Sequence, residues 1–480
     1  MTQHVGDRDR TALVLAGGGA KGAFEVGALQ FLVDRHGLEP GIITSTSAGS
    51  ILAAVLGQAR THDELSSRVS DLREDLLAMT DTEAVFGRQP WLSAFEGTPF
   101  GDAVEGFVST RTRPPVPGGD PDPDAPEHDV APRSHHWSWR RFTNVLSELP
   151  AANRARRQLD RHTGSILTLD PLEEALRGRS EMGFRPIDPA LLARDALELR
   201  MTVTALVAGV THYVCGDGTV VGPDARTPVG HSAVDAIEGA LASSTVPMVF
   251  EPRPIGSEVY VDGGCLQNVP VEAAVALGAT NIHAVLAAPL DPQPSDADFT
   301  SMNFVGIYLR TSAEIGFYDT QRRNLATPLP QGATLNVVAP TVDVVSPFEV
   351  EPGLMLIDMD YGTMRAEEAT PGGHRADLDA DGVAAAMAAT DAVVIARERA
   401  WYLEEACLAD GRVGRARSDA LRQLKSEVAT ALEARSALGL TAPQGSGAWH
   451  SRPETHGASG SPHESEPAGV LEELATAIGN

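Results

Sequence analysis

Apolar and polar positions change period several times along this chain. Thr11-Ala-Leu-Val-Leu-Ala16 is a short apolar run, and beyond a glycine cluster Phe24, Val26, Leu29, Phe31 and Leu32 recur at helical spacing. Ile42-Ile43 leads through the small residues Thr44 to Ser50 into a second apolar segment, Ile51 to Leu56. Each stretch predicts a strand, a tight turn and a helix. Leu197 to Val210 predicts a long central strand, with Tyr213-Val214-Cys215 as the returning arm of a hairpin. A helix is predicted over Ser232–Ser243, a strand over Glu258–Val261, a short helix over Glu272–Leu277 and strands over Asn281–Leu286 and Leu335–Ala339. Residues 61–80 and Val383–Arg435 read as helical, the latter in two segments, whereas 346–362 reads as a loop ending the domain.

Two stretches break this pattern. Between residues 110 and 135 the chain is rich in proline, glycine and aspartate, as in Asp120-Pro-Asp-Pro-Asp124, which predicts a mobile insertion. Residues 441–480 have a Gly/Ser/Pro/His bias and predict a mostly disordered tail, with a short helix near Val470–Ile478. Residues 1–10 form a polar N-terminal tail, and 376–440 a helical extension to a main domain spanning 11–365.

The net charge of −27 disfavours nucleic acid as a partner and any general attraction to anionic membranes. Against that background residues 133–161 form a basic, aromatic island. It carries seven arginines, among them Arg140 and Arg141, against Glu148 and Asp160, together with Trp137 and Trp139. Tryptophan beside arginine suits a membrane surface, so peripheral membrane contact is one expectation; inward-packed tryptophans and paired arginines are the plainer one. The three cysteines lack metal-ligand spacing and imply no disulfide framework, consistent with a reducing cytosol. The polar start carries no apolar signal region, and no apolar run is long enough to span a bilayer, so a cytoplasmic location is expected. Asp377-Leu-Asp379-Ala-Asp381-Gly382 imitates the start of a calcium loop, but Ala388 stands where a bidentate glutamate belongs; a helix start is expected instead.

Three places carry candidate chemistry. Ser47 sits in Ser45-Thr46-Ser47-Ala48-Gly49, a Gly-x-Ser-x-Gly pattern whose first glycine is Ser45. A sharp strand-to-helix bend would lift its hydroxyl, and the helix start would offer free N–H groups to a developing oxyanion. Gly17-Gly18-Gly19-Ala20-Lys21-Gly22 is a glycine loop entering a helix. It reads either as an oxyanion hole or as a dinucleotide fingerprint with Glu39 as the ribose acid. Asp262-Gly263-Gly264 follows a strand, at the carboxyl end where open α/β sheets place their sites. A Ser47, Asp262, His283 triad is an alternative arrangement, although His283 lies within a predicted strand.

The glycine loop, Ser47 and Asp262-Gly263-Gly264, in that order, together resemble the patatin-like phospholipase family. Ala242-Ser-Ser-Thr-Val-Pro247, Tyr260-Val-Asp-Gly-Gly264 and Asn268-Val-Pro-Val271 extend the resemblance, which covers roughly residues 10–365 apart from the insertion. It implies a three-layer α/β/α sandwich with a mostly parallel central sheet, followed here by C-terminal helices. It further implies hydrolysis of a lipid or phospholipid acyl ester by a Ser47–Asp262 dyad, with no cofactor and no metal. The amides of Gly17, Gly18 and Gly19 would hold the oxyanion; Lys21, Gly22, Gly49, Gly263 and Gly264 match the motifs. Ser45 departs from the pattern, and a weakened, lipid-binding relative is the alternative it raises.

Overall fold

The computed structural model describes residues 10–79, 82–98, 165–180, 183–193, 196–230, 234–292, 299–300, 302, 307–410 and 415–449. In chain order the strands are β1 (Thr11–Leu15), β2 (Ile42–Thr46), β3 (Gly87–Arg88), β4 (Leu167–Thr168), β5 (Glu198–Ala205), β6 (Val210–Cys215), β7 (Val220–Val221), β8 (Arg253–Ile255), β9 (Glu258–Asp262), β10 (Asn281–Val285) and β11 (Thr334–Val338). The main helices are α1 (Gly22–Asp34), α2 (Ala48–Leu56), α3 (His62–Leu77), α4 (Asp170–Leu176), α5 (Ala236–Ser243), α6 (Val271–Ala276), α7 (Gly316–Leu325), α8 (Pro352–Ala369), α9 (Ala380–Asp410) and α10 (Arg415–Ala437).

Apart from the small β3–β4 ribbon, the strands form one mixed sheet in the order β11-β10-β1-β2-β5-β6-β7, with the β8–β9 hairpin joined to β5. The run from β11 to β5 is parallel; β6, β7, β8 and β9 pair antiparallel. Strand alternation on β1 generates two cores. Leu13 and Leu15 pack with α1, α2, α5 and α8, whereas Ala12 and Val14 pack with α6 and the end of α7. Burial on both faces explains why β1 reads as a continuous apolar run rather than an alternating one. The result is a sheet between two helical layers, the α/β/α sandwich with a largely parallel centre.

The loop expected over 346–362 is corrected: from Pro352 the chain is helical, as α8. This helix crosses α1 so closely that side chains are excluded at the contact. A Cβ on Gly27 would lie 1.7 Å from the Met359 carbonyl oxygen, and one on Gly362 1.9 Å from that of Phe24. Beyond α8, two long helices, α9 and α10, pack back on it through buried ion pairs. Arg435 reaches Glu367 and Glu368, and Arg397 reaches Asp360 at 3.0 Å while stacking over the Trp449 ring. Residues 442–449 thus belong to this packed region. Asp379 caps the start of α9, accepting the Gly382 N–H at 2.8 Å.

The insertion at 110–135, the basic segment 133–161 with Trp137, Trp139, Arg140 and Arg141, and the tail from 450 lie outside the described residues. Among the described residues no helix is long and apolar enough to cross a membrane.

Candidate active site

Ser47 is the residue at which β2 becomes α2. Its backbone is at φ 53° and ψ −130°, a conformation that costs a side-chain-bearing residue about 1–3 kcal/mol. Two contacts hold it there. Its N–H donates to Ser243 Oγ at 2.9 Å, and its carbonyl accepts the Ser50 N–H at 2.7 Å. Gly49 lets the new helix lie against β1: a Cβ there would meet the Ala16 carbonyl oxygen at 2.5 Å.

Ser45, the departure from the glycine pattern, does not crowd this bend. It is fully buried, and its hydroxyl bonds Ser50 Oγ at 3.1 Å; Ser50 in turn bonds Ser243 Oγ at 2.9 Å. Ser243 completes the chain by donating to the Thr202 carbonyl at 2.7 Å. The hydroxyl of Ser45 therefore extends a polar ladder that braces the elbow from below. Ser45→Gly is expected to leave ester turnover within about threefold of wild type, because Ser243 still holds the Ser47 amide. Stability should fall by about 1–2 kcal/mol from the lost hydrogen bond and strand glycine. Paired turnover and urea-unfolding measurements check both, and a large gain in turnover would favour a decayed site.

Asp262 meets Ser47 because two strands end tip to tip on one edge of β5. β2 runs parallel to β5 and ends with Thr46 opposite Thr202; β9 arrives antiparallel and ends with Asp262 opposite Val203. The other edge of β5 is occupied by β6 from Arg200 to Ala205. The Asp262 N–H donates to the Thr245 carbonyl at 2.9 Å, and the Asp262 carbonyl accepts from Thr204 Oγ1 at 2.9 Å. Oδ1 accepts the Gly264 N–H at 2.7 Å, whereas Oδ2 is buried without a well-aligned partner. Burial pushes the carboxyl up to about 6, against the opposing pull of the nearby Ser47 hydroxyl and the Gly264 amide. Ser47 is thus near enough to act on the carboxyl without completing an aligned bond, a looseness common in unliganded sites. Gly263 is obligatory, since a Cβ would lie 2.4 Å from the Thr202 carbonyl oxygen.

The glycine loop closes over this pair. A Cβ on Gly17 would stand 2.6 Å from Asn268 Oδ1 and 2.9 Å from Ser47 Cβ; one on Gly18 would stand 2.3 Å from Ala287 Cβ. Gly19 has φ +61° and would put a Cβ 2.1 Å from the Pro347 carbonyl oxygen. The Gly17 N–H already donates, at 3.4 Å, to the Asn268 carbonyl. Gly18 and Gly19 open the helical turn, where N–H groups have no intrahelical acceptor. Lys21 is buried and paired with Asp343 at 2.6 Å, and Gly22 begins α1. Asn268 ties the loop to the segment after Asp262, its Nδ2 donating to the Gly17 carbonyl at 3.3 Å.

Two residues drawn from sequence spacing fall elsewhere. Glu39 precedes β2 and lies 3.5 Å from His62, at the opposite end of the sheet from the glycine loop, so the dinucleotide arrangement fails. His283 sits inside β10 opposite Leu13 and Asn336 and packs against the His36 ring, so it forms no triad with Ser47. Conversely, Ser243, Thr245 and Asn268 have site contacts that sequence reasoning did not assign. Their only signal was the two short phrases in which they occur.

A cavity of about 730 Å³ opens from Ser47, Asp262 and the glycine loop. Its walls are mainly apolar, with Phe86, Phe250 and Phe348 clustered at ring separations of 5.6, 5.9 and 6.2 Å. Asp343, Phe348 and Met355 also line it, so the site draws on α8 and the segment before it.

Fold and site together define an α/β protein with a serine elbow, a facing aspartate and a glycine loop. A family model described as patatin-like phospholipase matches residues 13–275, more than half of the chain, and the chain belongs to that family. It is 33% identical over 100 residues to patatin-like phospholipase domain-containing protein 7 of Rattus norvegicus, covering 21% of this chain and 7% of that protein. It is 48% identical over 58 residues to triacylglycerol lipase SDP1L of Arabidopsis thaliana, covering 12% of this chain and 7% of that protein. The matched part is thus a small fraction of either relative. Among solved structures, VipD from Legionella pneumophila matches with a TM-score of 0.29 at 13% identity, over 98% of this chain and 92% of that one. The type III effector ExoU matches with a TM-score of 0.23 at 13% identity, over 92% and 71%. Strand order and register, with helices on both faces of the sheet, define the fold.

Proposed function

We propose that this chain is a serine acyl hydrolase, of phospholipase A or lysophospholipase type, that cleaves lipid acyl esters with a Ser47–Asp262 dyad. The observation that carries the reading is the tip-to-tip meeting of the two strand ends beneath the glycine loop, at the head of an apolar cavity. Ser47 Oγ attacks the ester carbonyl carbon while its proton passes to Asp262 Oδ2, the oxygen left without an aligned partner. The amides of Gly18 and Gly19 face the carbonyl oxygen as it gains charge; Gly17, already weakly engaged, holds the loop in register. Collapse of the tetrahedral intermediate expels the alcohol, which takes the proton back from Asp262. Water then attacks the acyl-serine, losing a proton to Asp262; collapse of this second intermediate breaks the bond to Ser47 Oγ, which takes that proton back as the fatty acid leaves. An acyl chain fits the phenylalanine-lined wall, where its burial contributes about 0.8 kcal/mol per methylene.

The family relationship and the lipase and phospholipase names of its relatives support this substrate class. A fluorophosphonate probe applied to the full chain is expected to label Ser47. A panel of p-nitrophenyl esters, phospholipids and lysolipids, run beside Ser47→Ala, identifies the preferred ester. Folded protein that neither takes the probe nor turns over any ester would refute the assignment.

A further inference from the structure

We propose that the β5–β6 hairpin tip, Leu206 to Gly209, is an apolar finger that docks this protein onto a lipid surface of zwitterionic headgroups. β5 continues past the level of Asp262 from Val203 to Ala205, so the tip stands about 10 Å beyond the dyad at the carboxyl end of the sheet. Leu206 is 51% and Val207 73% exposed, although both are large aliphatic side chains. The sequence from Ala205 to Thr211 carries no charge in a chain of net charge −27. A neutral finger on an acidic protein complements an uncharged or zwitterionic interface and is repelled, with its protein, from an anionic one.

The backbone of the finger is prepared to leave water. The Leu206 N–H donates to the Val259 carbonyl at 2.9 Å, and the Gly209 N–H to that of Ala205 at 2.9 Å. The Val207 and Ala208 N–H groups donate to the two carboxylate oxygens of buried Glu258, at 2.7 and 3.0 Å. Every N–H of the tip therefore has a partner within the protein, which lowers the cost of seating the turn at an apolar–polar boundary with its carbonyls towards the headgroups. Burial alone would raise the Glu258 carboxyl, but the amides of Val259, Val207 and Ala208 outweigh it and hold the group below the ordinary carboxylate range. His212, on the facing strand, acts in the same direction, so the capping charge persists at neutral pH. Met248 and Tyr308, both exposed, line the cavity, so the cavity also presents apolar surface to solvent.

This inference rests on the acyl-hydrolase reading only for the choice of lipid as partner, and its test separates the two. Full-length protein is sedimented with phosphatidylcholine vesicles, and turnover of a water-soluble short-chain ester is measured in parallel. The double variant Leu206→Asp/Val207→Asp should lose at least tenfold in vesicle partitioning while keeping soluble-ester turnover within twofold. Val207→Trp should strengthen partitioning severalfold, and this variant decides the matter if the double variant fails to fold. Unchanged partitioning in either folded variant overturns the proposal. So does a double variant that binds vesicles normally but loses a concentration-dependent dimer, since the tip would then meet a second copy. A preference for vesicles enriched in anionic lipid over pure phosphatidylcholine that is lost in the double variant also overturns it. Tip-dependent vesicle binding without turnover of any ester would leave the docking surface standing and remove the hydrolase.

Discussion

Ser47→Ala and Ser47→Gly are both expected to reduce ester turnover by at least about 10⁴-fold, yet to differ in stability. Loss of the hydroxyl accounts for the first effect, because in the proposed mechanism Ser47, the residue at the strand-to-helix bend beside Asp262 and the glycine loop, forms the acyl intermediate. The second follows from the backbone. Ser47 is held at φ 53° and ψ −130° by hydrogen bonds to Ser243 and Ser50 that involve only its main chain. Alanine keeps those bonds and keeps the strain. Glycine keeps the bonds and relieves it, gaining about 1–3 kcal/mol from strain and giving back about 0.5–1 kcal/mol in chain entropy. Urea unfolding should therefore rank Ser47→Gly above both Ser47→Ala and wild type, by roughly 1 kcal/mol and at most about 2.5 kcal/mol. Equal midpoints for the alanine and glycine variants would mean the bend stores no more strain than the about 0.5–1 kcal/mol that glycine gives back in chain entropy, less than the elbow geometry calls for.

Much of this site was legible because its parts are local. The apolar pair Ile42-Ile43, the small residues to Ser50 and the apolar run to Leu56 encode strand, bend and helix within fifteen residues. The same holds for the glycine loop. What sequence could not supply is which strand ends meet, and at which end of the sheet. Glu39 lies at a plausible chain distance from Gly17, but it precedes β2 whereas the loop follows β1, and parallel strands put those points at opposite ends. His283 fails for a similar reason, being inside β10 rather than beyond its end. The partner of Lys21 is Asp343, 322 positions away, and no local pattern announces it. Helix α8 was hidden because it is buried on several sides, so its apolar residues show no single face. Its charged residues, among them Asp360, Arg365 and Glu368, point into ion pairs instead of solvent. Once in place, the phrases around Ser243 and Asn268 acquire contacts: Ser243 holds the Ser47 amide, Thr245 the Asp262 amide, and Asn268 the Gly17 carbonyl.

Asp262→Asn is expected to lower turnover by on the order of 10³–10⁴-fold and, at alkaline pH, to stabilise the fold. The carboxyl must be ionised to accept the serine proton. With its pKa pushed up to about 6, wild-type kcat/KM should rise through that pH and fall about tenfold per unit below it. The stability effect has the opposite sign. The folded state binds this proton more tightly than the unfolded chain, whose carboxyl titrates near the ordinary 3.8. Its contribution is therefore most favourable below about 3.8 and is lost as pH rises through about 6, where the buried ionised form costs about 3 kcal/mol. Asparagine carries no such charge, so Asp262→Asn should exceed wild type in stability by up to about 3 kcal/mol at pH 8, with the gap narrowing towards pH 4. Urea unfolding of both proteins at the two pH values measures the gap directly. A gap that does not change with pH would show that the aspartate is not held as a desolvated base, and the proton transfer from Ser47 would need another acceptor.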